Sequence, residues 1–197
     1  MDKKPTNRAV IIPFIQTERA AGKSDQEIYR ELTAEYFDKK TIALLITGTA
    51  KEEAKRKYAG WNITLMVLLA LGIVSKIYVL IQLTRTHHPM ADTLTFYAAC
   101  FAYAYLIYAV SKYQAVVYQV CILIPLLSFS ESVDKFNGVA LLVESLISIT
   151  LIFVAWYTKI SLFPNYSINK MKKDENGDFI MEKKKVLVTE DVHKNDV

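Results

Sequence analysis

The sequence predicts an all-α integral membrane protein: a four-transmembrane-helix bundle with a small N-terminal cytoplasmic helical module and a short C-terminal tail made of a β-hairpin and disorder. Three observations predict it. Residues 61–157 carry only eight charged side chains, Lys76, Arg85, Asp92, Lys112, Glu131, Asp134, Lys135 and Glu144, while the rest crowd into residues 1–60 and 158–197. The charge-poor stretch divides into four apolar runs of spanning length. The basic residues fall almost wholly on one side of those runs. Neither a soluble domain nor a disordered chain partitions its charge in this way. The boundaries that follow are 1–58 for the module, 59–160 for the bundle and 161–197 for the tail.

The module comes first. Val10, Ile11, Phe14 and Ile15 give one apolar face, and Pro13 is expected to limit how early that helix starts. The run Ala20-Ala21-Gly22-Lys23 ends it. Ser24-x-x-Glu27 is a capping box that opens a second helix with Ile28, Leu32 and Tyr36 on one side. Asp38 caps a third, which buries Ile42, Leu45 and Ile46. An apolar helix, then Gly22, Ser24, Ile28 and Leu32, then a third apolar helix, resembles a small three-helix module of the ubiquitin-associated type. The likeness covers about 40 of the 197 residues and carries no ligand with it. So short a unit has little core of its own and is expected to pack on the bundle, on lipid or on another protein.

The four spans lie at about 61–83, 93–110, 113–129 and 137–157. At 1.5 Å per residue each is about 25–35 Å long, which suits a hydrocarbon core of about 30 Å. Only Ser111-Lys112 separate the second and third, so a tight helical hairpin is expected there. Pro125 lies inside the third span, and Pro164 stops the chain after the fourth. Trp61, Trp156 and Tyr157 sit at span ends, where interfacial aromatics belong.

Four crossings place both ends on one side. Residues 1–60 carry 12 Lys and Arg, residues 158–197 carry 8, and Lys112 joins them, against Arg85 and Lys135 opposite. Both termini are therefore expected to be cytoplasmic. Lys51, Lys55, Arg56 and Lys57 stand just before the first span, where they are expected to face anionic lipid headgroups. The basic and acidic residues of both ends are too evenly mixed for a nucleic-acid footprint.

Inside the membrane Lys76 and Glu144 are the informative residues, because a charge near the bilayer centre needs a partner or a wet cavity. Lys76 lies about 6 Å beyond the centre of the first span and Glu144 about 4–5 Å beyond that of the fourth, on the same side. An ion pair between the first and last spans is expected, with Ser75 and Ser148 as polar neighbours. Gly72, Ser75, Lys76 and Val79 share one face. So do Ala140, Glu144, Ser148 and Ala155, and likewise Gln114, Tyr118, Cys121 and Pro125; small and hydroxyl residues at such spacing favour close helix contact.

In the tail, Asn176-Gly177 between apolar-alternating flanks predicts a small exposed hairpin. Asp174 does not open a calcium loop, because Phe179 and Lys185 hold the positions of its glycine and glutamate. His87-His88 is read as a solvated pair. No catalytic, metal or cofactor constellation emerges. The function expected is a non-enzymatic adaptor or scaffold that binds a cytoplasmic protein partner and sits in the lipid bilayer. The alternative is an oligomeric small channel, transporter subunit or membrane-disrupting effector built on Lys76 and Glu144.

Overall fold

The structure, a computed structural model, describes residues 6–36, 38–85, 90–135, 139–166, 173 and 177–181. Among these the chain is all-helical, with eight helices in order: α1 (Arg8–Ala20), α2 (Asp25–Glu35), α3 (Lys39–Gly48), α4 (Glu52–Lys57), α5 (Ala59–Arg85), α6 (Met90–Ser111), α7 (Ala115–Lys135) and α8 (Val139–Leu162). Two stretches, Ala59–Tyr78 in α5 and Ser145–Leu162 in α8, are long and apolar enough to cross a membrane. Tyr97–Ser111 and Ala115–Pro125 are shorter apolar helical stretches.

Two of the short helices, α2 and α3, start where their caps predict. Ser24 and Glu27 exchange both bonds of the capping box, and the Asp38 carboxylate accepts from the Thr41 N–H at 3.0 Å. Gly22 ends α1 with φ +89°, a backbone state that glycine takes without Cβ strain. Pro13 does not delay α1. The helix begins five residues earlier behind Asn7, whose side chain accepts from the Ala9 N–H, with Pro13 inside it. Near a helix start a proline removes one hydrogen bond, and the buried Ile11 and Ile15 hold both flanks of the site. Val10 departs from the expected apolar face and is 56% exposed.

The expected β-hairpin reduces to one antiparallel bridge between Lys173 and Phe179, around Gly177 at φ +78°. No strand forms among the described residues, and the segment is not an exposed appendage. Phe179 and Met181 are buried in one core with Ile28, Tyr29, Leu32 and Ile46. A two-stranded ribbon alone is marginal in water, and this one spends its apolar side on the module instead.

The long helices pack chiefly as α5 on α6 and α7 on α8, with α5 against α8 joining the pairs and α6 touching α7 least. The turn between α6 and α7 falls where Ser111-Lys112 predicts it, and closes with Tyr113 at φ +52°. One core runs through Leu65, Leu69, Tyr103, Leu106, Tyr118 and Leu151. Gly72 lets α6 approach α5: a Cβ there would stand 2.6 Å from Tyr103 Cε1. Outward, Ile63, Val67, Leu71, Val74 and Phe101 remain exposed. Helices apolar on their outer as well as their inner faces match a lipid surround.

Candidate functional site

The N- and C-terminal segments converge on α1, α2 and α3. Arg19, in the last turn of α1, holds all three. Its Nε donates to Asp25 Oδ1 at 2.7 Å, and its Nη1 and Nη2 donate to the Thr49 and Ile46 carbonyls at 2.6 and 2.8 Å. The guanidinium thereby caps the C-terminal end of α3 while pairing with the buried first residue of α2. Asp25 is 6% exposed, and Lys51 Nζ approaches its other oxygen at 3.6 Å.

The tail strap lies across α2. Gln26 grips its backbone from both sides, accepting from the Met181 N–H at 3.0 Å and donating to the Phe179 carbonyl at 3.4 Å. Phe179 packs edge-on to Tyr29 with ring centroids 6.4 Å apart, and its N–H donates to the Tyr29 hydroxyl at 3.4 Å. Lys39 pairs with Asp178 at 2.7 Å, and Asn165 donates to the Met181 carbonyl at 2.8 Å. Residues more than 130 positions apart are thus one body.

That body rests on the bundle where α3 meets α7. A Cβ on Gly48 would come within 3.1 Å of the Tyr166 ring and 3.7 Å of Ala115 Cβ. Burial raises the Tyr166 phenol above its ordinary pKa. Glu27 is held below its ordinary carboxylate value, first by the Ser24 backbone N–H and then by the Ser24 hydroxyl. Asp38 is lowered by the Thr41 hydroxyl and backbone N–H. Lys23 is raised by Glu18 and Glu31, which it bonds at 2.7 and 2.6 Å.

The polar residues predicted inside the bundle divide. Lys76 is 5% and Ser148 7% exposed, Ser75 is half-buried, and neither Lys76 nor Ser75 is free of partners. Glu144 belongs to α8, but its side chain lies outside the described residues, as do Val79, Ala140 and the His87-His88 pair. On α7, Tyr118, Cys121 and Pro125 face inward, whereas Gln114, just ahead of α7, is exposed. Of the four bases predicted to face headgroups, Lys51, Arg56 and Lys57 are exposed and Lys55 is half-buried. Lys51 turns toward Asp25, and Lys55 pairs with Glu52 and stands 5.7 Å from the Tyr113 ring centroid.

Two elements were not singled out from sequence. Asn62, 2% exposed, donates to the Val110 carbonyl at 3.3 Å and accepts from the Tyr118 hydroxyl at 2.5 Å, tying α5, α6 and α7 together. An asparagine in the first turn of an otherwise apolar helix was its only signal. The second is an aromatic cluster at the same end: Trp61 and Tyr157 ring centroids stand 4.8 Å apart, with Tyr58 6.3 Å from Tyr157. The span-end aromatics were visible in the sequence, but their mutual contact was not.

The class defined by these features is an all-helical protein with candidate membrane helices under a helical cap. No family model matches the chain, and no curated protein or solved structure is detectably similar to it. The likeness of residues 8–50 to a ubiquitin-associated module rests on the helix pattern alone.

Proposed function

We propose that the protein is a non-enzymatic membrane adaptor or scaffold, with α5–α8 as four spans, both termini cytoplasmic, and its cytoplasmic ends joined into one body that binds a protein partner. The observation that carries this reading is the tail strap: Phe179 and Met181 complete the core of α1–α3. Strap, module and the turn after Ser111 gather at one end of the long helices, which supports an even number of crossings. The exposed apolar faces of α5, α6 and α8 support a lipid surround.

The full chain in cells provides the test. A photo-crosslinking residue at Arg30 or Ala34, both exposed on α2, is expected to yield one discrete protein adduct. Phe179→Ala, which withdraws the strap from the module core, should weaken that adduct at unchanged protein level. Absence of any adduct, with ion or solute flux through liposomes holding the purified protein, would favour the oligomeric channel, transporter or effector reading instead. The observation on that side is the buried Lys76. An impermeant label reaching either terminus from outside intact cells would overturn the topology.

A further inference from the structure

A groove of about 1070 Å³ opens between α6 and α7 and continues under α1 and α3. It lies along the seam where the long helices touch least. Its deep part is apolar, with Leu106, Val120 and Ile124 on its walls, and its mouth carries Arg8, Lys55 and Lys112. No carboxylate lines it among the described residues. Lys55 also holds Glu52, which stands outside the groove, so the mouth keeps an excess of positive charge.

The length of the groove identifies its occupant. From the end of α6 at Ser111 it reaches Ala102, and from the start of α7 at Ala115 it reaches Ile124. Nine residues of helix are about 13–14 Å, close to half of a hydrocarbon core of about 30 Å. A slot that is cationic at the membrane face and apolar for one leaflet's depth has the polarity profile of an anionic phospholipid. Its volume lies just above the range of small-molecule pockets, which run about 300–1,000 Å³.

We infer that this groove is a binding site for one anionic phospholipid of the cytoplasmic leaflet, with the headgroup phosphate on Arg8, Lys55 and Lys112 and an acyl chain between α6 and α7. The bound lipid bridges module and bundle, since Arg8 belongs to α1 and Lys112 to the α6–α7 turn. The inference rests on the reading of α6 and α7 as membrane helices, and differs from general headgroup attraction because Lys51, Arg56 and Lys57 do not line the groove.

The experiment reconstitutes the full chain in equimolar phosphatidylglycerol and phosphatidylcholine vesicles, extracts it mildly and reads retained lipid by native mass spectrometry. One phosphatidylglycerol per chain is expected, preferred about tenfold or more over phosphatidylcholine. The triple variant Arg8→Gln, Lys55→Gln, Lys112→Gln should bring the preference close to parity. The control Lys51→Gln, Arg56→Gln, Lys57→Gln should keep it. Ala102→Trp, which fills the slot without altering charge, should lower retention of both lipids, with circular dichroism confirming that each variant is folded. Equal retention of the two lipids, loss of preference in the control, full retention in the filled variant, or a second copy of the chain in place of lipid would each overturn the site. Protein that fails to float with the vesicles would instead overturn the membrane reading itself.

Discussion

The module of α1–α3 and the bundle of α5–α8 each bury polar groups, but against opposite exteriors. Around the module, Glu27, Arg30, Glu31 and Lys40 are exposed, and the apolar Ile11, Ile15, Ile28 and Ile42 point inward. Around the bundle, Ile63, Val67, Val74 and Phe101 are exposed, while Asn62, Lys76, Ser148 and Thr158 are buried. In water the apolar stripe marks the inside of a helix, because burial of that stripe drives packing. In lipid it marks nothing, since tails and side chains are equally apolar; small and polar residues mark the inside instead. The chain's two tryptophans, Trp61 and Trp156, both sit in the bundle, so their fluorescence reports on that half alone while far-ultraviolet circular dichroism reports on both.

Arg19 offers the largest way to break the comparison. Arg19→Ala leaves Asp25 buried and returns the Ile46 and Thr49 carbonyls to an uncapped helix end. Removing one partner of a buried pair typically destabilises by about 3–5 kcal/mol, while replacing both with apolar residues is far milder. The expected outcome in detergent is an early loss of part of the dichroism signal with tryptophan fluorescence unchanged. Arg19→Met with Asp25→Leu should restore part of the loss. A simultaneous shift of both signals would mean that the halves unfold as one unit.

Gly72 tests the other half by the opposite route, adding atoms rather than removing charge. Gly72→Ala places a Cβ 2.6 Å from Tyr103 Cε1, and overpacking of this kind costs about 1–3 kcal/mol. Tryptophan fluorescence should report the destabilisation, and Tyr103→Leu in the same chain should relieve it. An unchanged melting temperature would show that the Tyr103 ring swings aside, and that the α5–α6 approach is looser than its geometry.

Local signals were legible in the sequence and distant ones were not. Ser24, Asp38 and Gly22 act within a few residues of themselves, so their caps and stop read directly from the chain. The inward faces of α2 and α3 follow from helical spacing. The docking of Phe179 and Met181 on α2 has no such signal, because alternating residues beside a turn fit a free hairpin as well as a strap. Gln26 reads as an ordinary surface residue until a strap lies across it. Pro13 misled in the other direction: its local effect was real, but buried Ile11 and Ile15 outweighed it. In the bundle, Gly72, Lys76, Ser148 and Tyr118 were legible as an inward set because their residue types are unusual in an apolar run. Asn62 lay at the edge of its run, where a polar residue carries no such contrast.

The smallest expected effect sharpens the comparison through pH. Glu27 and Asp38 are both held below their ordinary values of 4.5 and 3.8 by helix-cap hydrogen bonds. A carboxylate with a depressed folded pKa contributes stability that is fully present above its unfolded value and is lost as pH falls through the folded one. The module should therefore begin to weaken as pH drops below about 4.5 and continue as Asp38 titrates. Ser24→Ala removes the cap hydroxyl, which accepts from the Glu27 N–H and donates to the Glu27 carboxylate, and should cost about 1 kcal/mol at neutral pH. It should also reduce the Glu27 part of the acid response, because only the residue-24 backbone N–H then holds that carboxylate below its ordinary value. Dichroism followed from pH 7 downward reads both effects, with fluorescence of Trp61 and Trp156 as the internal control. Fluorescence that holds while dichroism declines places the acid sensitivity in the water-facing half, where caps sit on exposed helix ends and each proton competes directly with a backbone N–H. Fluorescence that declines in step would show instead that the strap and the Tyr166 contact couple the halves more tightly than their separate cores imply.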